Sequence, residues 1–387
     1  MKKLTIIGRG TVGCIAVAHF VRWTDWEINW IYDPVIEPSA VGEGTTLVLP
    51  NSLAQNINFN SRDMDAINAT PKLGIHKRGW GNGDEYYHSF PSGHTGMHFN
   101  AVQFQNYMFE RLTQTRRVTK IEGNFTDYEN LDSNFVMVCT GSPNELDDNY
   151  KIHNIPVNSC IVFQCPWELP RFNYTLTFAK EYGWVFGIPL KNRCSIGYLY
   201  NDEITKEQDV RISAVPILEE FNLEPSMSRK ISFRNYSRKV NFSEKVCYNG
   251  NSSFFLEPLE ATSTGMADKI IRWAFDLWNG AHHVHIANAK FQKEISQIEA
   301  MICLHYLAGS QYDTDFWSMA KQIGEFKIRH SLATDRDFFD MIYQVFQNHT
   351  SYWNSNIPDI GSWSLMSYVS NIEGLGLKDK LKSFLNL

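Results

Sequence analysis

Three glycines, Gly8, Gly10 and Gly13, stand in G-x-G-x-x-G spacing between the apolar run Lys2 to Gly8 and the apolar stretch Thr11 to Trp23. No other feature of the chain narrows the fold so far. KLTIIG has the length and character of a buried strand, TVGCIAVAHFVRW that of a helix, and INWIYD, ending at Asp33, that of a second strand. Strand, glycine turn, helix, strand and acid, in that order, predict a βαβ unit. The first glycine permits the tight turn, the second lets a pyrophosphate approach the backbone, and the third brings helix against strand. Helix N–H groups then face the phosphates, and Asp33 is placed to accept ribose hydroxyls.

The motif assigns a dinucleotide without choosing between FAD and NAD. VGEGTT, Val41 to Thr46, favours FAD, because Gly42, Glu43 and Gly44 set a carboxylate between two glycines in a loop built to meet a ligand closely. FVMVCTG, a later buried strand ending at Gly141, returns the chain to the same ligand. Only one G-x-G-x-x-G is present, so no separate NAD(P)H domain is expected and the flavin is expected to be reduced elsewhere.

Several function classes drop out on composition. The 387 residues carry 36 basic and 42 acidic side chains, a net charge of −6, and no basic block, which argues against nucleic acid as a partner. No apolar run reaches membrane-spanning length, and MKKLTIIGRG lacks the apolar core of a signal peptide. Seven scattered cysteines without a C-x-x-C pair imply reduced thiols and a cytoplasmic setting. His282, His283 and His285 lack a carboxylate or cysteine at ligand spacing, so a polar loop is expected there and no metal.

Along the chain, Lys72 to Lys77 reads as extended, Gly81 to Gly96 as loop, and Ala101 to Leu112 as helix. Residues 153 to 256 alternate as an antiparallel sheet would, and from Ser263 onward the pattern is helical, including Phe291 to Leu307 and Phe316 to Arg329. The expected fold is mixed α/β: a Rossmann-like FAD-binding domain, an antiparallel sheet and a helical C-terminal region. Residues 1–260 are expected to form a discontinuous core, with 261–387 completing it and forming a reduced substrate cap. GWVFGIPL, Gly183 to Leu190, puts Trp184 and Phe186 on one face of a strand. That face can be ordinary core, or an aromatic wall beside a flavin.

Taken in order, GRGTVG, VGEGTT, KLGIHKRGW, DEYYHSF, GWVFGIPL with Arg193 and GYLY, and GNSSFFLEPLEAT resemble the flavin-dependent tryptophan halogenases. HYLAGSQYDTDFW, His305 to Trp317, resembles a C-terminal segment of the same family. The resemblance implies that FADH2 and oxygen form a C4a-hydroperoxide that oxidises chloride, bromide or iodide to hypohalous acid. It implies a tunnel, walled by Trp184, Phe186, Ile188 and Pro189, that carries the acid to a catalytic lysine. Lys72 matches that lysine and Glu260 the catalytic glutamate. Gly8, Gly10, Gly13, Asp33, Gly42, Glu43, Gly44 and Gly141 match positions that hold FAD, and His88 and Phe90 match residues that sandwich the aromatic substrate. His76 and Lys77 are assigned structural roles, and Glu257 shapes the turn before Pro258.

The chain departs from the family in three places. Phe186 replaces the second Trp of its W-x-W-x-I-P signature. The halide-holding Ser-Thr-Gly run reads Ala261-Thr262-Ser263, so Thr262 and Ser263 are assigned to the halide and its identity is left open. The segment from Leu112 to Phe135 and the tail after Trp317 are short, with SYWNSN, Ser351 to Asn356, as the remnant of a cap. An open site for an indole or phenol, or for a substrate carried by something larger, is expected in place of free tryptophan. The resemblance also implies a separate NAD(P)H-dependent flavin reductase and leaves a homo-oligomer open. The compact length is similar to that of halogenases of marine phages, which would place the protein in a host cytoplasm. An FAD-dependent monooxygenase on the same scaffold would need neither Lys72 nor halide, and a flavin-binding protein without turnover would need neither Lys72 nor Glu260.

Overall fold

The computed structural model describes residues 1–37, 42–82, 85–347 and 359–387, and the expected βαβ opening is its first feature. Strand β1 (Lys3–Ile7), helix α1 (Thr11–Trp23) and strand β2 (Glu27–Tyr32) follow one another. β1 and β2 pair in parallel from Lys3↔Glu27 to Ile7↔Ile31. A parallel pair requires a crossover, and α1 supplies it with Cys14 to Phe20 buried.

After β2 come β3 (Gly42–Gly44), α2 (Val48–Ile57), α3 (Ser61–Ala66), β4 (Thr70–Lys72), β5 (Gly74–Arg78) and β6 (Glu85–Ser89). Next are β7 (Gly96–Asn100), α4 (Ala101–Leu112), β8 (Val118–Glu122), β9 (Phe135–Val138) and β10 (Tyr150–Ile152). Four longer strands follow: β11 (Ser159–Pro166), β12 (Thr175–Lys180), β13 (Gly183–Pro189) and β14 (Arg193–Tyr200). The chain continues through α5 (Glu207–Glu220), β15 (Met227–Ser232), β16 (Tyr236–Arg238), β17 (Val246–Tyr248) and β18 (Phe254–Phe255). It closes with helices α6 (Thr262–Trp278), α7 (Val284–Ala308), α8 (Asp315–Thr334), α9 (Arg336–Gln347), α10 (Leu365–Gly374) and α11 (Lys378–Leu385).

These elements form two compact units interleaved in sequence. The first comprises Met1–Lys72, His94–His153 and Asn235–Gln292. Its main sheet runs β17-β9-β1-β2-β8 and is parallel throughout. β1 lies at its centre, which is why Leu4 and Ile6 are fully buried and the strand reads as an unbroken apolar run. Two three-stranded sheets, β3-β7-β4 and β10-β16-β18, belong to the same unit, and α1, α2 and α6 pack on one another there.

The second unit comprises Leu73–Gly93, Asn154–Arg234 and Lys293–Leu387. Its sheet runs β15-β11-β14-β13-β12-β5-β6 and is antiparallel except where β5 meets β12 in parallel. α5 covers one face, burying Val210, Ala214, Ile217 and Leu218 with Ile161, Phe163 and Ile196. That helix interrupts the region expected to be sheet alone. Its apolar positions fall at i, i+4, i+7 and i+8, a helical stripe masked in the sequence by charged neighbours and by Pro216. β6 likewise occupies ground expected to be loop, since EYYHS buries only His88 and so shows weak alternation. Among the described residues no helix is long and apolar enough to cross a membrane.

Candidate functional site

The three motif glycines are required for two different reasons. Gly8 has φ +108°, and a Cβ on it would lie 2.2 Å from the Cys139 carbonyl oxygen. A Cβ on Gly13 would lie 2.0 Å from the Gly8 oxygen. Protein packing alone therefore demands glycine at both positions. Gly10 has φ −66°, and a Cβ there would meet nothing within 4 Å. It starts α1 with no side-chain cap and no acidic residue in the first turn. Gly141, at φ +85°, also borders open space. A helix start beside glycines that no described protein atom crowds forms a cradle that fits a pyrophosphate. Arg9 stands over the Tyr32 and Phe109 rings at 5.5 and 5.3 Å, beside the same turn. Asp33 Oδ1 accepts the Val35 N–H at 2.9 Å, which fixes the carboxylate just beyond β2. Gly42 and Gly44 bracket β3, paired with β7 at Asn100 and His98, whereas the Glu43 side chain lies outside the described part.

The first unit also holds Lys72 and Glu260. Lys72 ends β4 opposite Gly96 of β7 and has no solvent exposure. Lysine is among the residues least often buried, so its placement demands an explanation beyond packing. His98 on β7 is equally buried. Burial first, and the Lys72 ammonium second, hold its imidazole well below the usual range. No sequence signal singled out His98, since MHF reads as ordinary strand.

Glu260 is buried, with φ 69° and ψ 4°, and Ala261 follows at φ 55° and ψ 42°. Two successive residues with a Cβ in the left-handed region each carry strain of about 1–3 kcal/mol. The fold tolerates this immediately before α6. Glu257 is fully buried, and its backbone N–H donates to Asn235 Oδ1 at 2.9 Å, which fixes the start of the turn. Beyond it Thr262 is buried, Ser263 is exposed and Thr264 is buried again.

The remaining assigned residues belong to the second unit. His88 is buried on β6 opposite Ile75, and Phe90 is half-buried two residues on. The Phe90 N–H donates to the carbonyl of Leu73, the residue that follows Lys72, at 2.8 Å. β13 is buried along its whole length, including Ile188 and Pro189. Trp184 and Phe186 share one face, their ring centres 6.4 Å apart. The Trp184 indole donates to Tyr306 Oη at 3.1 Å, and Trp80 and Trp317 extend the cluster. The Phe186 ring lies across Gly197 of β14, where a Cβ would be 2.1 Å from it.

Lys77 is also fully buried, and its ammonium donates to His305 Nε2 at 2.6 Å and Asn371 Oδ1 at 2.7 Å. His305 Nδ1 faces the Met301 carbonyl at 3.0 Å and must carry the ring proton, because a carbonyl only accepts. Nε2 then accepts from Lys77. His76 is held by Glu85 at 3.1 Å and stacks on Tyr87. Among the described residues no group of three His, Cys, Asp or Glu side chains gathers to hold a metal. Ser351 to Asn356 lie outside the described residues.

Comparisons with known proteins agree on one family. The family model described as tryptophan halogenase matches residues 3–144 and 126–357. Tryptophan 6-halogenase ThaL of Streptomyces albogriseolus is 23% identical over 211 residues, which are 53% of this chain and 39% of that protein. Tryptophan 6-halogenase SttH of Streptomyces toxytricini is 26% identical over 179 residues, 43% of this chain and 33% of that one. The match thus spans less than half the length of either relative. The fold is shared with Xcc4156, a flavin-dependent halogenase from Xanthomonas campestris, at TM-score 0.79 and 20% identity, covering 100% of this chain and 93% of that one. It is also shared with BrvH from Brevundimonas sp. BAL3 at TM-score 0.77 and 18% identity, covering 97% and 90%. The glycine turn, the buried lysine and the acid before α6 therefore sit on a known scaffold, and the chain belongs to the tryptophan halogenase family.

Proposed function

We propose that this protein is a flavin-dependent halogenase of electron-rich aromatic compounds, indoles or phenols, supplied with FADH2 by a separate NAD(P)H-dependent reductase. The observation that carries this reading is the complete burial of Lys72 in the unit that holds the glycine cradle and the strained, buried Glu260. Bound FADH2, with oxygen, supplies the oxidising equivalents that turn a halide ion into hypohalous acid. Gly10 and Gly141 leave room for the pyrophosphate, α1 donates N–H groups to it, and Asp33 takes the ribose hydroxyls.

In the transfer step the Lys72 ammonium donates a hydrogen bond to the oxygen of the hypohalous acid and draws electron density from the halogen. A ring carbon of the substrate attacks the halogen, the halogen–oxygen bond breaks, and the departing hydroxide takes a proton from the Lys72 ammonium to leave as water. Glu260 accepts the proton lost from the ring. The left-handed turn at Glu260 and Ala261 serves to hold that carboxylate in one place, the use for which backbone strain is retained. Trp184, Phe186, Ile188 and Pro189 wall the path of the hypohalous acid, and His88 and Phe90 flank the substrate ring. Thr262 and Ser263 lie at the halide. The neutral imidazole of His98 leaves the Lys72 charge undiminished and adds no competing cation beside it.

The test is mass spectrometry of reactions containing the full chain, FAD, a flavin reductase, NADH and oxygen, offered chloride, bromide and iodide separately with a panel of indoles and phenols. A product mass raised by one halogen less one hydrogen is expected. Hydroxylated product in its place, at equal flavin turnover, contradicts the reading and favours a monooxygenase.

A further inference from the structure

The second unit holds a cavity of about 270 Å³ in which the halogenase reading has no part. Its polar lining comes from Gly81, Asn82, Ser310, Lys321, Gly376 and Lys380, and leucines with one alanine complete the wall. Two lysines and no carboxylate line it among the described residues. A concave site with two positive charges and an apolar wall suits an organic anion.

The backbone brings these groups together. Trp80 bridges to Ser310, and the Gly81 N–H donates to the Gly309 carbonyl at 2.8 Å. A Cβ on Gly81, at φ +56°, would lie 2.3 Å from the Leu375 carbonyl oxygen, so only glycine lets the two walls meet. Gly309 follows α7 at φ +69°, and the stem of Lys321 lies across it. A Cβ on Gly309 would stand 2.1 Å from Lys321 Cε and 2.9 Å from its Cγ. Lys321, half-buried on α8, is therefore seated on a position kept bare of side chain.

Glu325, one turn along α8, pairs with Arg329 at 2.9 Å and with Lys380 at 3.4 Å, whereas Lys321 makes no ion pair among the described residues. The Ser310 hydroxyl, 5% exposed, accepts the Tyr312 N–H at 3.2 Å and keeps its own proton to donate. α11 opens beside Lys380 without a side-chain cap, and Asp379 is the one acid in its first turn. Its first bond runs from the Leu381 N–H to the Leu377 carbonyl at 2.9 Å, so the N–H groups of Lys378 to Lys380 precede that ladder. Lysine holds phosphate as a point charge, while a planar carboxylate is better met by the fork of arginine. A phosphate monoester near neutral pH carries a charge of about −1.5 to −2, which two ammonium groups balance.

We propose that this cavity binds a phosphate monoester, with Lys321 and Lys380 at the phosphate and the leucines against its organic group. The site goes beyond the halogenase reading and requires nothing of it.

Calorimetric titration of the full chain tests this. The protein is saturated with FAD so that the flavin cradle is filled, and phenyl phosphate, inorganic phosphate and benzoate are titrated in phosphate-free buffer. Phenyl phosphate is expected to bind one site per chain, about tenfold or more tighter than either of the others. Lys321→Met keeps the stem over Gly309 and loses the charge. It should bind phenyl phosphate about tenfold more weakly at an unchanged melting temperature, and Lys321→Arg should restore binding. Lys380→Gln should weaken binding as well. A wild type without saturable binding overturns the proposal, as does wild-type affinity in Lys321→Met. Equal affinity for benzoate or for inorganic phosphate overturns the assignment to a phosphate ester. Binding seen only in the absence of FAD would put the phosphate in the flavin cradle and overturns it too.

Discussion

Gly8 and Cys139 are in such close contact that a β-carbon on the glycine would stand 2.2 Å from the cysteine's carbonyl oxygen. Two residues away, a β-carbon on Gly10 would touch nothing. Gly8→Ala should therefore destabilise the fold, since the left-handed φ of +108° and the clash act together. Gly10→Ala should leave the melting temperature near wild type while weakening FAD binding at least tenfold, because the methyl group fills pyrophosphate space. Flavin-fluorescence titration beside thermal unfolding separates the two effects. Equal FAD affinity in Gly10→Ala and wild type would remove the cradle from α1.

The strain before α6 makes a second contrast. Ala261→Gly relieves a left-handed alanine and should stabilise the protein by about 0.5–1 kcal/mol in urea unfolding. Glu260→Gln keeps the shape of the turn but removes the base. It should leave stability within about 1 kcal/mol of wild type while product formation falls by about 10²-fold or more.

His19 offers a pH test outside the site. The ring is buried on α1 against Phe20 and Phe275, and burial above all pushes its pKa down to about 4. The unfolded chain binds this proton near pH 6.5 and the folded one does not, so its stability contribution is complete above pH 6.5 and is lost as pH falls toward 4. Between pH 7 and pH 5 the loss from this residue is about 2 kcal/mol. His98, depressed for the same first reason, adds in the same direction. Urea midpoints at the two pH values should draw together in His19→Leu. An unchanged gap would show that the folded protein binds the His19 proton as readily as the unfolded chain does.

Phe186 keeps its position because Gly197 leaves room beneath it. Gly197→Ala should cost about 1–3 kcal/mol through overpacking. If the Trp184–Phe186 face walls the path of the oxidant, the same variant should release more free peroxide per FADH2 consumed. A destabilised variant with unchanged coupling would make that face ordinary core.

Local patterns in the chain made some elements plain and left others hidden. α1 and α4 begin and end where the sequence places them, because a glycine turn and an asparagine cap mark their starts. The order of β1, α1 and β2 followed from apolar runs that no alternative period fits. α5 was hidden by Pro216, and β6 by a run of aromatic and polar residues with one buried side chain. The burial of Lys72 and His98 arises from segments distant in sequence, so no local pattern reports it. The left-handed turn was equally invisible, because neither Glu260 nor Ala261 is a residue that prefers positive φ.

Halogen transfer depends on Lys72, and removing its charge is the decisive comparison. Wild type and Lys72→Met, both loaded with FAD and shown to consume FADH2 at the same rate, would be compared for halogenated product per flavin oxidised. Methionine keeps the length and burial of the side chain without its charge. Wild type is expected to halogenate, while Lys72→Met oxidises flavin at full rate and yields at least a hundredfold less product. Equal product from the two proteins would contradict it and leave the buried lysine a part of the scaffold.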